Sequence, residues 1–143
     1  MGLFSIMSTS ASGLRAQRVR MEVTSSNVAN LQTTKTSEGG PYRRRIVQFE
    51  ARPVKSDFEQ VLDRQSGIFE VQVRKVATDR RDPIWIYDPE HPDADDKGYV
   101  AMPNINMVEE MVNMMSAGRS YEANLTVINA AKAMAKKALE LGR

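Results

Sequence analysis

The side chains best suited to holding a divalent cation stand together in Asp88-Pro89-Glu90-His91-Pro92-Asp93-Ala94-Asp95-Asp96-Lys97-Gly98. Asp93-Ala94-Asp95-Asp96-Lys97-Gly98 has the opening of a calcium loop, in which alternate residues supply oxygens. The pattern then fails. Lys97 stands where an oxygen ligand is needed, and Asn104 where a bidentate glutamate would close the site. His91 is the single histidine and there are no cysteines, so the ordinary zinc ligand sets are out of reach. The segment reads as an acidic turn-forming loop, with His91 solvated or hydrogen-bonded inside it. No metal and no cofactor are expected.

Other chemistry is equally thin. Gly39-Gly40 lacks the downstream Gly-Lys-Ser/Thr of a phosphate loop. No Gly-x-Ser-x-Gly elbow occurs and no serine has an evident base, so catalysis is not expected. Arg43-Arg44-Arg45, with Arg52 and Lys55, could contact phosphates. On an alternating strand, however, Arg44 faces opposite to Arg43 and Arg45, which leaves no single-sided basic stripe. Solvated charges or ion pairs with carboxylates are the expectation, and the net charge of +2 is too small to imply a polyanion partner. Five methionines fall between Met102 and Met115. They suit either a core or an adaptable binding surface, because the thioether chain is unbranched and polarizable.

The elements carrying these residues are legible from periodicity. Residues 107–143 read as one long helix. Met107, Met114, Tyr121, Ile128 and Ala135 recur at seven, and Met111, Gly118, Leu125 and Leu139 form a neighbouring row interrupted by Lys132. Alternating steps of three and four are the coiled-coil pattern. At ~1.5 Å per residue the helix would be about 50 Å long, too long for a domain of this size to cover, so the seam must be buried against something else. Asn106, with Glu109 three positions on, has capping-box spacing, and Lys132, Lys136, Lys137 and Arg143 crowd the last turns. Residues 3–29 form a second helix, with Met7, Leu14, Met21 and Val28 at seven, Phe4 and Ala11 on adjacent turns, and Asn30 as a left-handed cap.

Between these helices the period falls to two. Strands are expected at 44–50, 68–76 and 84–87, followed by an irregular loop at 88–98. The expectation is an α+β chain: long N- and C-terminal helices forming a coiled-coil-like inner part (1–36 and 102–143), with a small, mainly β module inserted at 37–101. The amino terminus has no continuous apolar run of signal-peptide type, and no stretch of about 20 apolar residues could span a membrane.

Several motifs carry a resemblance. They are Ser10-Ala11-Ser12-Gly13-Leu14-Arg15-Ala16-Gln17-Arg18 running into Asn27-Val28-Ala29-Asn30, then Gly39-Gly40-Pro41-Tyr42-Arg43-Arg44. Tyr87-Asp88-Pro89-Glu90-His91-Pro92-Asp93-Ala94-Asp95, Pro103-Asn104-Ile105-Asn106 and Arg119-Ser120-Tyr121-Glu122-Ala123-Asn124 complete the set. Together they resemble the axial rod and hook proteins of the bacterial flagellum, and the Tyr87–Asp95 run points to the proximal rod.

The resemblance implies a structural subunit whose terminal helices pack into an inner tube, with the β module outside. It implies a torque-transmitting drive shaft across the periplasm, and export through the flagellar type III apparatus without a cleaved signal. The partners would be other copies of the chain and adjacent proximal and distal rod subunits, with no nucleic acid and no membrane insertion. The expected subunit interface comprises Leu14, Met21, Asn27, Val28 and Asn30 on the first helix, and Met111, Met114, Tyr121, Asn124, Leu125, Ile128, Asn129, Ala135 and Leu139 on the last. Asn27, Asn30, Asn124 and Asn129 would either fix register or face an aqueous channel. The alternative reading is an amphipathic membrane-surface or nucleic-acid-binding module.

Overall fold

The computed structural model describes residues 3–53 and 68–142; Lys55 and Arg143, named above, lie outside them. Helix α1 spans Leu3–Ala29 and helix α2 spans Met107–Leu141. Between them lie strands β1 (Arg45–Pro53), β2 (Phe69–Thr78), β3 (Ile84–Tyr87) and β4 (Tyr99–Met102). The architecture is the expected α+β arrangement, with four strands where the period-two signal gave three. No helix is long and apolar enough to cross a membrane among the described residues.

The helix ends follow from their side chains. Asn106 is extended at φ −95° and ψ 114°, and its Oδ1 accepts from Val108 N at 2.9 Å and Glu109 N at 3.3 Å. That satisfies two of the orphan donors at the start of α2. Only half of the capping box forms, because the Glu109 carboxylate pairs with Arg44 at 2.9 Å instead of reaching back. Asn30 is not a left-handed cap, since every described residue with positive φ is a glycine. Its side chain does the work: Nδ2 donates to the Ser26 carbonyl at 2.8 Å, and Thr33 Oγ1 donates to Asn30 Oδ1 at 3.1 Å. The basic residues at the other end of α2 stop at Lys137, and its last described turn carries none.

The two helices pack antiparallel. Gly13 lies against Asn124, Arg20 NH2 donates to Asn113 Oδ1 at 2.9 Å, and Asn27 meets Glu110. Gly13 and Asn27 are two heptads apart, as are Asn124 and Glu110, so the contacts repeat with the helix period. A β-carbon on Gly13 would sit 2.9 Å from Asn124 Nδ2. Glycine here lets the Asn124 amide approach without being displaced.

β1 and β2 form an antiparallel ribbon from Arg45↔Thr78 to Pro53↔Phe69. Gln48 pairs with Lys75 and Phe49 with Val73, leaving Arg74 as the extra residue of a bulge. The bulge has a clear purpose. It keeps Val76 on the same face as Phe69, Val71 and Val73, a face that an unbroken period of two would have moved it from. The ribbon lies along α1: Val71 N donates to Ser12 Oγ at 3.1 Å, Ser8 Oγ bonds Glu70, and Asn27 bonds the Arg45 backbone. Ser12 to Asn27 covers about 22 Å of helix at ~1.5 Å per residue. Val71 to Thr78 covers about 23 Å of strand at ~3.3 Å per residue. The matching lengths let both ends of the ribbon be tied to one helix.

β3 and β4 form a second antiparallel pair, with Tyr87↔Tyr99 at its end and the rings edge-to-face at 5.3 Å between centroids. Asp95 organises the connecting loop: its Oδ1 accepts from Lys97 N at 2.9 Å and Tyr99 N at 2.8 Å. His91 Nδ1 accepts from Asp93 N at 3.1 Å. The Asp95 carboxylate and the His91 ring are spent on the turn itself.

Candidate assembly interface

The helix junction is built on one asparagine. Asn27 and Glu110 are each 1% exposed. Asn27 Nδ2 donates to Glu110 Oε2 at 2.8 Å and to the Arg45 carbonyl at 2.9 Å. Its Oδ1 accepts from Arg45 N at 2.9 Å and from Tyr42 OH at 3.1 Å. Every donor and acceptor of the amide is used, as a buried amide requires.

Arg44 completes the arrangement from the other side. Its Nε and NH2 reach Glu110 Oε1 at 2.8 and 2.5 Å, and NH2 also reaches Glu109 Oε1 at 2.9 Å. One cation thus neutralises two carboxylates at the start of α2, and the buried Glu110 is both paired and hydrogen-bonded. The end of α1, the start of β1 and the start of α2 are thereby clasped at one point. Strand β1 begins only at Arg45, so Arg44 precedes the alternation expected of it; it is half-buried while Arg43 and Arg45 are exposed. Its commitment to carboxylates removes it from any phosphate-binding stripe.

Along α2 the row facing α1 is Glu110, Ala117 and Ala131, buried, with Met114, Tyr121, Asn124 and Ile128 half-buried between them and Ala135 half-buried one turn beyond. The row adjacent to it is open. Met111 is 51% exposed, Leu125 43% and Leu139 76%. α2 is therefore apolar on two neighbouring stripes, and α1 covers one. Exposed apolar side chains recur along α2 from Met107 to Leu141, with Lys132 interrupting the outer row.

The expected interface residues divide accordingly. Leu14, Met21 and Val28 are half-buried on α1, as is Asn30 just past its end, and Asn27 is enclosed. Met114, Tyr121, Asn124, Ile128 and Ala135 turn toward α1, whereas Met111, Leu125, Asn129 and Leu139 face outward. Of the four asparagines, Asn27 sets register within the chain, Asn30 closes α1, Asn124 Nδ2 donates to the Ser120 carbonyl at 2.9 Å, and Asn129 is exposed. Phe4, expected on the α1 stripe, points to solvent. Glu110, Arg44, Tyr42 and Gly13 are structural determinants that periodicity does not reveal. The signal for Glu110 is a charge one heptad before Ala117, at a position the helix buries.

Among the described residues no group of histidine, cysteine, aspartate or glutamate side chains is arranged to hold a metal ion.

Comparison with known proteins places the chain by similarity over its whole length. Residues 7–35 match the family described as Flagella basal body rod protein, and residues 96–141 match Flagellar basal body rod FlgEFG protein C-terminal. The chain is 46% identical over 154 residues to the flagellar basal-body rod protein FlgC of Borreliella burgdorferi, covering 99% of this chain and 98% of the relative. It is 44% identical over 152 residues to FlgC of Bacillus subtilis, and 38% identical over 143 residues to FlgC of Escherichia coli O157:H7, each time over 100% of both chains.

Proposed function

This chain belongs to the FlgC family of flagellar basal-body rod proteins, and from that membership we propose how it is built into the rod. It is a structural rod subunit. Its terminal helices (within 1–36 and 102–143) form the inner part of the assembly, and the β module (37–101) forms the outer part. The outward row of α2, led by Met111, Leu125 and Leu139, is covered by helices of neighbouring copies and of adjacent proximal and distal rod subunits. Nucleic acid and membrane are not partners in this proposal.

The supporting observation is the second apolar stripe on α2, which nothing in the chain covers among the described residues. Apolar burial is worth about 25 cal/mol per Å², so leaving such a stripe in water is costly and covering it drives association. Long helices enclosed on all sides resist twist because close-packed interiors are hard to compress. That property suits a shaft that carries torque from motor to hook across the periplasm. The subunit travels to its place through the flagellar type III export apparatus without a cleaved signal.

Leu125→Asp tests the proposal. It puts a charge on the outward row and touches neither the clasp nor the β module. Rod assembly and motility are expected to be lost while the purified variant keeps the wild-type circular dichroism of its β strands. A motile Leu125→Asp strain contradicts it.

A further inference from the structure

The hydrogen-bonding phase of the β1–β2 ribbon is fixed at three points. Asp79 N donates to the Arg44 carbonyl at 2.7 Å, so the residue before β1 turns its backbone toward the β2 side. Arg45 turns the other way, and both its N–H and its carbonyl are taken by the Asn27 amide. Val71, the partner of Ala51, likewise points its N–H out of the ribbon, to Ser12 Oγ at 3.1 Å. Inward and outward positions alternate in an antiparallel pair, and the extra residue of the bulge lies in β2, not β1. Arg45, Val47, Phe49 and Ala51 therefore present their backbone groups to the outer edge of β1.

α1 covers that edge at one place. Its last turn meets the outer edge of β1 at Arg45, while Ser12, about four turns earlier, meets the outer edge of β2 at Val71. The helix thus crosses the ribbon diagonally. From Val47 to Ala51, about 13 Å at ~3.3 Å per residue, the outward N–H and carbonyl groups of β1 have no hydrogen-bond partner among the described residues. Pro53, which has no N–H, ends the run.

A groove of about 370 Å³ runs beside this edge, lined by Val23 and Thr24 of α1, Val47 and Phe49 of β1, and Asn113 of α2. At its end the Asn27 amide does for Arg45 what the peptide group of a neighbouring strand does, giving one donor and one acceptor. The charged groups of the groove are Arg20, Arg44 and Arg45 against Glu109 and Glu110, an excess of one positive charge. Arg44 is held by both glutamates. Arg20 reaches only the neutral Asn113, and Arg45 lies 5.8 Å over the Tyr42 ring. Neither has a carboxylate partner among the described residues. Glu50 and Arg52 belong to the opposite face of β1, where they reach Arg74 and Gln72.

We propose that the outer edge of β1 is a strand-addition site. An extended, acidic segment of another protein lies along Val47–Ala51 as a third strand of the ribbon, with its carboxylates toward Arg20 and Arg45. Main-chain bonds supply the affinity and alternate side chains the choice of sequence. The charges of the strands argue against a second copy as occupant. β1 and β2 each carry one net positive charge, from Arg45 and Arg52 against Glu50 and from Arg74 and Lys75 against Glu70, and β3 and β4 carry none. Like charges set across a strand pair are destabilising, and no described strand of this chain is acidic. The site is distinct from the outward row of α2 and does not depend on it.

The probe is a capped peptide of about eight residues, valine alternating with threonine and aspartate, titrated into the full-length chain. It is expected to protect the Val47, Phe49 and Ala51 amide hydrogens from exchange, and a version with lysine for aspartate to bind about tenfold more weakly. Two further versions carry N-methyl groups on alternate amides, one version for each edge of the strand. One should bind like the parent and the other not at all, because only one edge of the peptide meets β1. Ala51→Pro removes an outward N–H and no β1–β2 bond, so it should weaken binding at an unchanged far-ultraviolet circular dichroism spectrum. Equal binding of the two methylated peptides, or no protection at the three amides, overturns strand addition. A lysine peptide that binds as tightly as the aspartate peptide overturns the acidic partner. Self-association of the chain that Ala51→Pro abolishes assigns the edge to a second copy and overturns the proposal as well.

Discussion

Asn27 Nδ2 donates to Glu110 Oε2 at 2.8 Å, joining the last turn of α1 to the first turn of α2 inside a site closed to water. The bond spans 83 positions of sequence, so it fixes how the terminal segments are aligned. A buried polar pair is a poor source of net stability but a strong selector of register, because any slip strands both groups.

Glu110→Ala leaves the Arg44 guanidinium and the Asn27 amide without their central partner. Breaking a buried pair from one side costs about 3–5 kcal/mol, and Asn27→Ala costs a smaller ~1–3 kcal/mol from unsatisfied buried groups. Urea titrations followed by far-ultraviolet circular dichroism should give midpoints in the order wild type, Asn27→Ala, Glu110→Ala. The two losses should not add in the double variant, because both remove the same contact.

Gly13→Ala sets two effects against each other. Alanine in a helix interior is better than glycine by about 0.5–1 kcal/mol, but here its β-carbon falls 2.9 Å from Asn124 Nδ2. Gly13→Ala alone is expected to lower stability, and the same change in an Asn124→Ala background to raise it. Thermal unfolding of the four proteins of this cycle checks the change of sign.

Gly98 is constrained twice over. Its φ is +79°, and a β-carbon would meet Tyr87 Cε2 at 3.0 Å and Pro89 Cβ at 3.2 Å. Left-handed backbone costs a non-glycine residue about 1–2 kcal/mol, with the steric clash in addition. Gly98→Ala should disturb the Tyr87–Tyr99 pair and leave the helices intact. Near-ultraviolet circular dichroism against the far-ultraviolet signal separates the two.

Acid should loosen the turn after β2. The Arg81 side chain and backbone N–H both bond the Asp79 carboxylate, at 2.8 and 3.0 Å, and hold its pKa below the ordinary carboxylate value. A group depressed in the folded state contributes stability above its unfolded pKa and loses that contribution as pH falls through the folded value. Wild type should therefore lose stability relative to Asp79→Asn as the solution is taken from neutral into acid. Unfolding midpoints for both proteins across that range check it, and the exposure of Arg81 keeps the effect small.

Much of the fold is legible in the sequence, and the gaps have physical causes. The helix limits follow from capping and heptads, and the loop at 88–98 from its prolines and aspartates. β4 escaped because Tyr99–Met102 is too short to show a period and has apolar residues on both faces. The bulge was written in the step of three from Val73 to Val76, a break in alternation that marks an extra residue. The clasp was harder. Periodicity assigns burial to large apolar side chains, but α2 buries Glu110, Ala117 and Ala131 against α1 and holds Met111 and Leu125 outward. The outward residues obey the same rule only when other chains are counted.

Hydrogen exchange at single-residue resolution, on the chain in dilute solution and again in isolated basal bodies, tests that idea most directly. In the lone chain residues 115–135, covered by α1 on one side only, are expected to exchange faster than the start of α2 at the clasp, and assembly should protect them strongly. Full protection of 115–135 in the lone chain, unchanged on assembly, would mean that its interior is already complete, and would contradict the account.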